Sequence, residues 1–296
     1  MTVIEPAVLT SPSEVQDIAE RLMRSAEGTV RIEFLDNFGD GTVRAVVVWP
    51  TENTALSDIC ALFESFGLRL HRQSPLEGAG DGAYLYEFTT VGVPLADGLR
   101  NVAAAVEAHG GGQFSVDPFA ALILAANIGW RDAVLLRAAA RFLKQAGLGM
   151  SQGYVIDNLV QRPQFVAALL DYFNARFDPA TADRAHAIAQ TSRTLENHVE
   201  AATTVDEDRV LRAFATCFDA LVRTSWFQVT ADGRHKAHHA FMFDSARLSL
   251  HGPVIPYREI FVDSDDVEGL HVRSGAIARG GLRFSDRPED YRTEVL

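Results

Sequence analysis

Cysteine is nearly missing: Cys60 and Cys217 are the two in 296 residues. They lie far apart and without metal-ligand spacing, so a disulfide framework is not indicated. Both are expected as buried free thiols, acting as small hydrophobes. Positive charge is also in short supply. The chain has 27 Lys and Arg against 39 Asp and Glu, a net charge of -12 and a pI near 5.2. That argues against a general nucleic-acid binder, whose footprint would be basic, but leaves room for a local basic pocket that takes an acidic metabolite. No run approaches the ~18 uncharged apolar residues of a membrane span. The start, Met1-Thr2-Val3-Ile4-Glu5-Pro6, has no basic stretch followed by an apolar one, so no secretory leader is expected. These absences predict a cytoplasmic protein with no membrane partner. Gly-x-Gly-x-x-Gly, a phosphate loop with Lys-Ser/Thr and a nucleophile elbow are all lacking. Ser274-Gly275 and Ser285-Asp286 have no histidine placed by sequence to activate them. There is no internal repeat and no low-complexity tract.

What is present is ordinary globular material, 47% hydrophobic and 22% charged, enough for two modest domains. Residues 1–13 read as a loose lead, with Ser13 capping a helix from Glu14 to Ser25. Val30 to Phe34 alternates as a half-buried strand does. Asp40-Gly41 is a hairpin signal, followed by a strand from Thr42 to Trp49 that Pro50 ends. Ala55, Ile59, Leu62, Phe63 and Phe66 have helical spacing, with Gly67 as the C-terminal glycine. Strands follow at Leu68 to Arg72 and Ala83 to Thr89, around the flexible Gly78-Ala79-Gly80-Asp81-Gly82, and then a helix from Leu95 to Ala108. This order predicts an α+β sandwich, an antiparallel sheet backed by helices, over residues 1–112. The pattern resembles the ACT-like regulatory modules that bind amino acids. Asp36-Asn37-Phe38-Gly39-Asp40 is either a ligand loop or a plain hairpin turn, the second being favoured.

Residues 113–224 read as a helical bundle. Pro118 suits a first helical position, before an apolar helix from Phe119 to Asn127. Further helices are expected from Trp130 to Gln145, after the cap Ser151, and from Pro163 to Phe177. A long stretch runs from Thr181 to Val222, pausing near Ala201-Ala202-Thr203-Thr204. Asp206-Glu207-Asp208 suits a helix start, and Leu211, Phe214, Ala215, Phe218 and Leu221 form a core-facing stripe. Asp132, Asp157 and Asp171 read as a solvated face. Residues 225–296 turn to strands: Ser225 to Val229, Ala240 to Phe243, Pro256 to Val262 and Val267 to Arg273, the last two paired across Asp263-Ser264-Asp265-Asp266. His235-Lys236-Ala237-His238-His239 reads as an exposed loop rather than a metal site, since no Cys is near and Lys236 repels a cation. His271 reads as a structural histidine.

The chemistry concentrates at Arg279-Gly280-Gly281-Leu282-Arg283. Two glycines let a backbone approach a ligand closely, and each arginine can hold a carboxylate through two parallel N–H bonds. The alternative is a surface turn whose charges pair with Asp286, Glu289 and Asp290. Asp286 and Glu289 have capping-box spacing with Pro288 in the first turn, so a helix is expected from Asp286. The chain stops about two turns into it, which predicts an incomplete piece of a larger protein, and Met1 need not be the natural start.

The run from Val267 through Leu296 closely resembles the start of the catalytic domain in the large NAD-specific glutamate dehydrogenases of bacteria. So does Phe243-Asp244-Ser245. Asp206 to Arg212 with Arg223 to Gln228, together with Trp130-Arg131, Leu135-Leu136-Arg137, Gln145-Ala146-Gly147 and Ser151-Gln152, are also family-like. The resemblance is strong over residues 115–296 and weak over residues 1–112. It implies that residues 225–296 begin a mixed α/β substrate domain for L-glutamate and 2-oxoglutarate. In ordinary glutamate dehydrogenases a Lys-Gly-Gly-Leu-Arg element meets the distal carboxylate of glutamate. The likeness puts Arg279 at the lysine position, with Gly280 and Gly281 against the substrate and Arg283 nearby. Arginine is longer and planar, so its contact geometry does not copy lysine's. The family's catalytic lysine, its proton-transfer aspartate and its NAD-binding domain have no counterpart in these residues. The resemblance thus implies no catalytic, cofactor-binding or metal residue here, a homo-oligomeric parent enzyme, and a chain inactive by itself. The rival expectation is a non-catalytic amino-acid-binding regulator or scaffold.

Overall fold

The computed structural model describes residues 11–37, 41–50, 54–91, 96–248, 255–277, 281–283, 292 and 295–296. The chain forms two compact units, Met1–Ala133 and Val134–Leu296, divided within one helix. Among the described residues there are nine α-helices and two wholly antiparallel sheets.

The first unit opens with α1 (Pro12–Ser25). Its cap is Ser11, not Ser13. The Ser11 hydroxyl accepts from the Glu14 N–H at 3.3 Å, and the Ser11 N–H donates to the Glu14 carboxylate at 2.7 Å. Pro12 explains the offset: it has no N–H to lose and fits the first helical turn. Four strands follow as β1 (Arg31–Asn37), β2 (Thr42–Val48), β3 (Arg69–Pro75) and β4 (Ala83–Thr89), in the order β1-β2-β4-β3. The Val46-Val47-Val48 run lacks a polar alternation because both faces of β2 are covered. Val46 and Val48 pack with Val15, Ala19 and Leu22 of α1. On the other face α2 (Leu56–Ser65) brings Phe63 to 4.6 Å from Phe88 and 6.0 Å from Tyr86, ring centre to ring centre. Gly67 does end this helix. Its φ of +81° lets the Leu68 N–H return to the Phe63 carbonyl at 3.0 Å, the wrap that favours glycine at that position. Ala55 lies outside the apolar face and is exposed, and Cys60 is half-buried. Further on lies α3 (Ala96–Gly110). The lead before residue 11, Asp40 of the hairpin and the Leu95 helix start fall outside the described residues, as does most of the Asp36 to Asp40 loop.

One continuous helix from Phe119 to Asn127 does not form. Asp117 caps a 3-10 turn over Pro118–Ala120, which passes into α4 (Ala121–Ala125). Asn127, with φ at +54°, stops it. The next helix, α5 (Trp130–Gln145), forms as spaced. Asp132 is not simply solvated. Its carboxylate accepts from the Gly129 N–H at 3.1 Å, and burial raises its pKa against that bond and the Arg131 charge. Asp157 and Asp171 are exposed as expected.

The second unit holds α6 (Gln152–Gln161), α7 (Pro163–Phe177), α8 (Arg184–Glu200) and α9 (Val205–Ala220), then β5 (Leu221–Thr224), β6 (His239–Phe243), β7 (Arg258–Asp263), β8 (Glu268–Arg273) and β9 (Gly281–Arg283). These strands lie side by side in chain order. The cap Ser151 and the pause between α8 and α9 stand where they were expected, and within that pause Thr204 caps α9. The strand expected at Ser225 to Val229 lies four residues earlier. Helix α9 passes into β5 without a loop, and the Gln228 N–H then turns back to the Ser225 carbonyl at 2.9 Å. His239 leaves the polar loop and is buried in β6, its ring centre 4.4 Å from that of Trp226.

Candidate functional site

The second sheet is positioned by α5. Burial alternates along β7, so Glu259, Phe261 and Asp263 face inward. Phe142 of α5 stacks on Phe243 at 4.0 Å between ring centres and meets Phe261 at 5.7 Å. Beside this apolar contact runs a seam of charge. Arg137 donates to Asp265 at 2.7 Å, and Arg141 donates to Asp263 at 2.8 Å. Asp263 is fully buried, and its Oδ2 finds no hydrogen-bond partner among the described residues. Loss of water raises its pKa, and the charges of Arg141 and Arg137 oppose that rise.

Gln145 continues the seam, one turn beyond Arg141. Its side-chain oxygen accepts the Arg292 N–H at 3.4 Å. The Arg292 guanidinium in turn grips Glu259 with two bonds, Nε at 2.7 Å and Nη2 at 3.0 Å. Both side chains are buried. Two parallel bonds match the fork of arginine to a carboxylate, and the pairing meets the requirement that buried charge be neutralised.

Glu259 therefore joins the sheet to Arg292. Of the expected site residues, Gly281 and Arg283 lie on β9, where Gly281 is opposite Val272 and Arg283 opposite Leu270 of β8. Arg279 and Gly280 lie outside the described residues, as do Asp286 and Glu289. His271 is half-buried in β8, between Ile260 of β7 and Leu282 of β9. Close by, Asp244 of the Phe243-Asp244-Ser245 element takes a bond from Arg258 at 2.9 Å. No group of three or more His, Cys, Asp or Glu among the described residues is arranged to hold a metal ion, and no described helix is long and apolar enough to cross a membrane. Among the described residues every strand pairing is antiparallel.

The seam itself went unread in the sequence. A signal was there: Arg137, Arg141 and Gln145 recur every four residues in an otherwise Ala/Leu-rich helix, and Glu259 and Asp263 flank Phe261 at same-face positions of an apolar strand.

Residues 194–296 match the family model described as bacterial NAD-glutamate dehydrogenase, catalytic domain. Residues 114–179 match the one described as glutamate dehydrogenase, helical motif 3. Three curated relatives carry the name NAD-specific glutamate dehydrogenase. The protein of Halomonas elongata is 37% identical over 248 aligned positions, covering 81% of this chain. That of Pseudomonas aeruginosa is 35% identical over 254, covering 82%. That of Mycobacterium tuberculosis is 32% identical over 310, covering 97%. The chain is therefore a relative of the bacterial NAD-specific glutamate dehydrogenases. It spans 15%, 16% and 19% of the length of these three proteins.

Proposed function

We propose that this chain is the substrate-side part of an NAD-dependent glutamate dehydrogenase, which converts L-glutamate to 2-oxoglutarate and ammonia. The observation that carries this reading is the catalytic-domain match over residues 194–296, which contains the Arg279 to Arg283 element, with its last three residues laid along β8. Arg279 and Arg283 bind the distal carboxylate of glutamate through paired N–H bonds, and Gly280 and Gly281 leave the substrate room. NAD accepts the hydride when bound, and it is held by residues of the parent enzyme other than these. The protein's own work here is to bind and orient glutamate, because alignment of the reacting carbon is a large part of such catalysis. The chain by itself is inactive, and the parent is a cytoplasmic homo-oligomer.

The test is NADH formation from glutamate, run on the whole enzyme and on the purified 296-residue chain. The whole enzyme is expected to reduce NAD, and Arg283→Gln is expected to raise its KM for glutamate by about tenfold or more, as loss of a charged bidentate contact does. Glutamate oxidation by the chain alone would overturn its assignment as inactive. A whole enzyme that leaves glutamate untouched would sink the reading altogether.

A second reading concerns the first unit, as an ACT-like module that takes an amino-acid regulator. It is favoured by a cavity of about 240 Å³ lined by Trp49, Asp58, Ile59, Leu62 and His109 among others. Apolar walls with a few polar groups suit a small ligand. Equilibrium dialysis of the chain against the twenty amino acids decides it, and no retention of any of them refutes it.

A further inference from the structure

Helix α5 and strand β7 run in opposite directions, and their charged residues keep different step lengths. From Arg141 to Gln145 the helix advances about 6 Å. From Asp263 to Glu259 the strand advances about 13 Å. The first two rungs, Arg137 to Asp265 and Arg141 to Asp263, close directly. By the third the strand has outrun the helix, and Gln145 brings no charge to neutralise a wholly buried Glu259. Arg292 fills that place. Its backbone N–H meets Gln145 and its guanidinium meets Glu259.

The ends of the segment between β9 and Arg292 are thus both tied to β7. One end is tied through the ladder β7-β8-β9, the other through the Glu259–Arg292 pair. The first two rungs tie α5 to the hairpin but do not include the β9 segment.

We infer that Glu259 and Arg292 are positioning residues for glutamate: their buried pair, seated on Gln145, holds the Gly281–Arg283 backbone in the place from which this element meets the substrate. The inference rests on the proposed reading of Arg279 to Arg283 as the glutamate corner. Glu259 and Arg292 touch no substrate. They act through the ladder, in which Glu259 lies opposite Val272 and Val272 opposite Gly281, and misplacement of a binding group by about 1 Å is enough to cost up to 100-fold in rate.

Three variants separate positioning from mere stability. Glu259→Gln removes the charge but keeps the shape, Arg292→Lys keeps the charge but loses the fork, and Asp263→Asn breaks the neighbouring rung. Hydrogen exchange on the full 296-residue chain reads the first effect. Glu259→Gln is expected to speed exchange of the Gly281–Arg283 amides about tenfold or more relative to those of β6, because local opening is set by local contacts. Asp263→Asn is expected to leave that ratio within about twofold, whatever it does to overall stability. In the whole enzyme, Glu259→Gln is expected to raise KM for glutamate about tenfold with KM for NAD unchanged, and Arg292→Lys, which keeps the charge, to raise it by less. Equal loosening of β9 by Glu259→Gln and Asp263→Asn, or a KM for glutamate that does not move, would overturn the inference. A wild-type enzyme without glutamate-dependent NAD reduction would instead remove the proposed function, and the exchange ratio would still decide whether the pair holds β9.

Discussion

The two sheets solve the same packing problem with different chemistry. In the first unit the interior is apolar, and its buried polar contact between Trp49 and Tyr86 is neutral: the indole N–H donates to the Tyr86 hydroxyl at 2.9 Å. Its Arg21–Glu33 pair meets near water, with both side chains more than a third exposed. In the second unit Glu259 and Arg292 pair wholly inside, and each neighbouring rung has at least one buried end. An exposed pair contributes little, about 0–1 kcal/mol. A buried pair adds little net stability over apolar packing, yet breaking it is costly. Buried charge thus makes poor glue and good registration. It accepts one partner in one geometry, and it is found in the unit whose strand β9 carries Gly281 to Arg283 of the candidate substrate element.

The largest expected effect tests that contrast at its strongest point. Glu259→Ala leaves the Arg292 guanidinium buried without its carboxylate, which should cost about 3–5 kcal/mol, read from the urea midpoint of the full chain. A cost under about 1 kcal/mol would mean that the pair behaves as a surface pair, and the distinction between the units would fall. Next comes the neutral counterpart. Burial pushes the Tyr86 hydroxyl up to about 12, against the Trp49 hydrogen bond, so it stays protonated at any ordinary pH. Tyr86→Phe orphans the indole N–H and should cost about 1–3 kcal/mol, with no dependence on salt. A strong salt dependence of that cost would contradict the picture of an uncharged first core.

The smallest effect lies at the start of α9. There the Arg162 guanidinium, and then the Thr203 N–H, hydrogen-bond to the Glu207 carboxylate and bring its pKa down from 4.5 to about 2. A carboxyl depressed in the folded state contributes stability above its unfolded pKa and loses it as pH falls through the folded value. The window is therefore pH 4.5 down to about 2. Arg162 is about a third exposed, so water screens the pair and the contribution should stay near 1 kcal/mol or less. Subtracting the Glu207→Gln stability profile from that of the unaltered chain should isolate a loss confined to this window. A difference that is flat with pH would show that Glu207 is not held ionised by Arg162.

Most elements could be read from local chemistry. Gly67 needs no tertiary partner to end α2, since only its own backbone must turn left-handed. The stripe of α9 and the caps Ser151 and Thr204 lie within a few residues of what they act on. Errors arose where two local signals competed. Ser11 and Ser13 both suit a cap, and Pro12 decided between them. The aromatic run at Ser225 to Val229 looks like a strand, but α9 delivers the chain directly into β5 and uses the next residues to turn.

By itself the sequence determined the helix and strand order, the antiparallel pairing of β7 with β8 and the family likeness of residues 115–296, because each depends on neighbours or on a contiguous motif. Only the tertiary structure decided that Glu259 and Arg292, thirty-three positions apart, share one buried site with Gln145. The physical reason is that a lone charge in a strand pattern is read as facing water. The alternation of β7 puts Glu259 on the same face as Phe261 and Asp263, but the partner that neutralises it arrives from a distant part of the chain, and no local pattern names that partner.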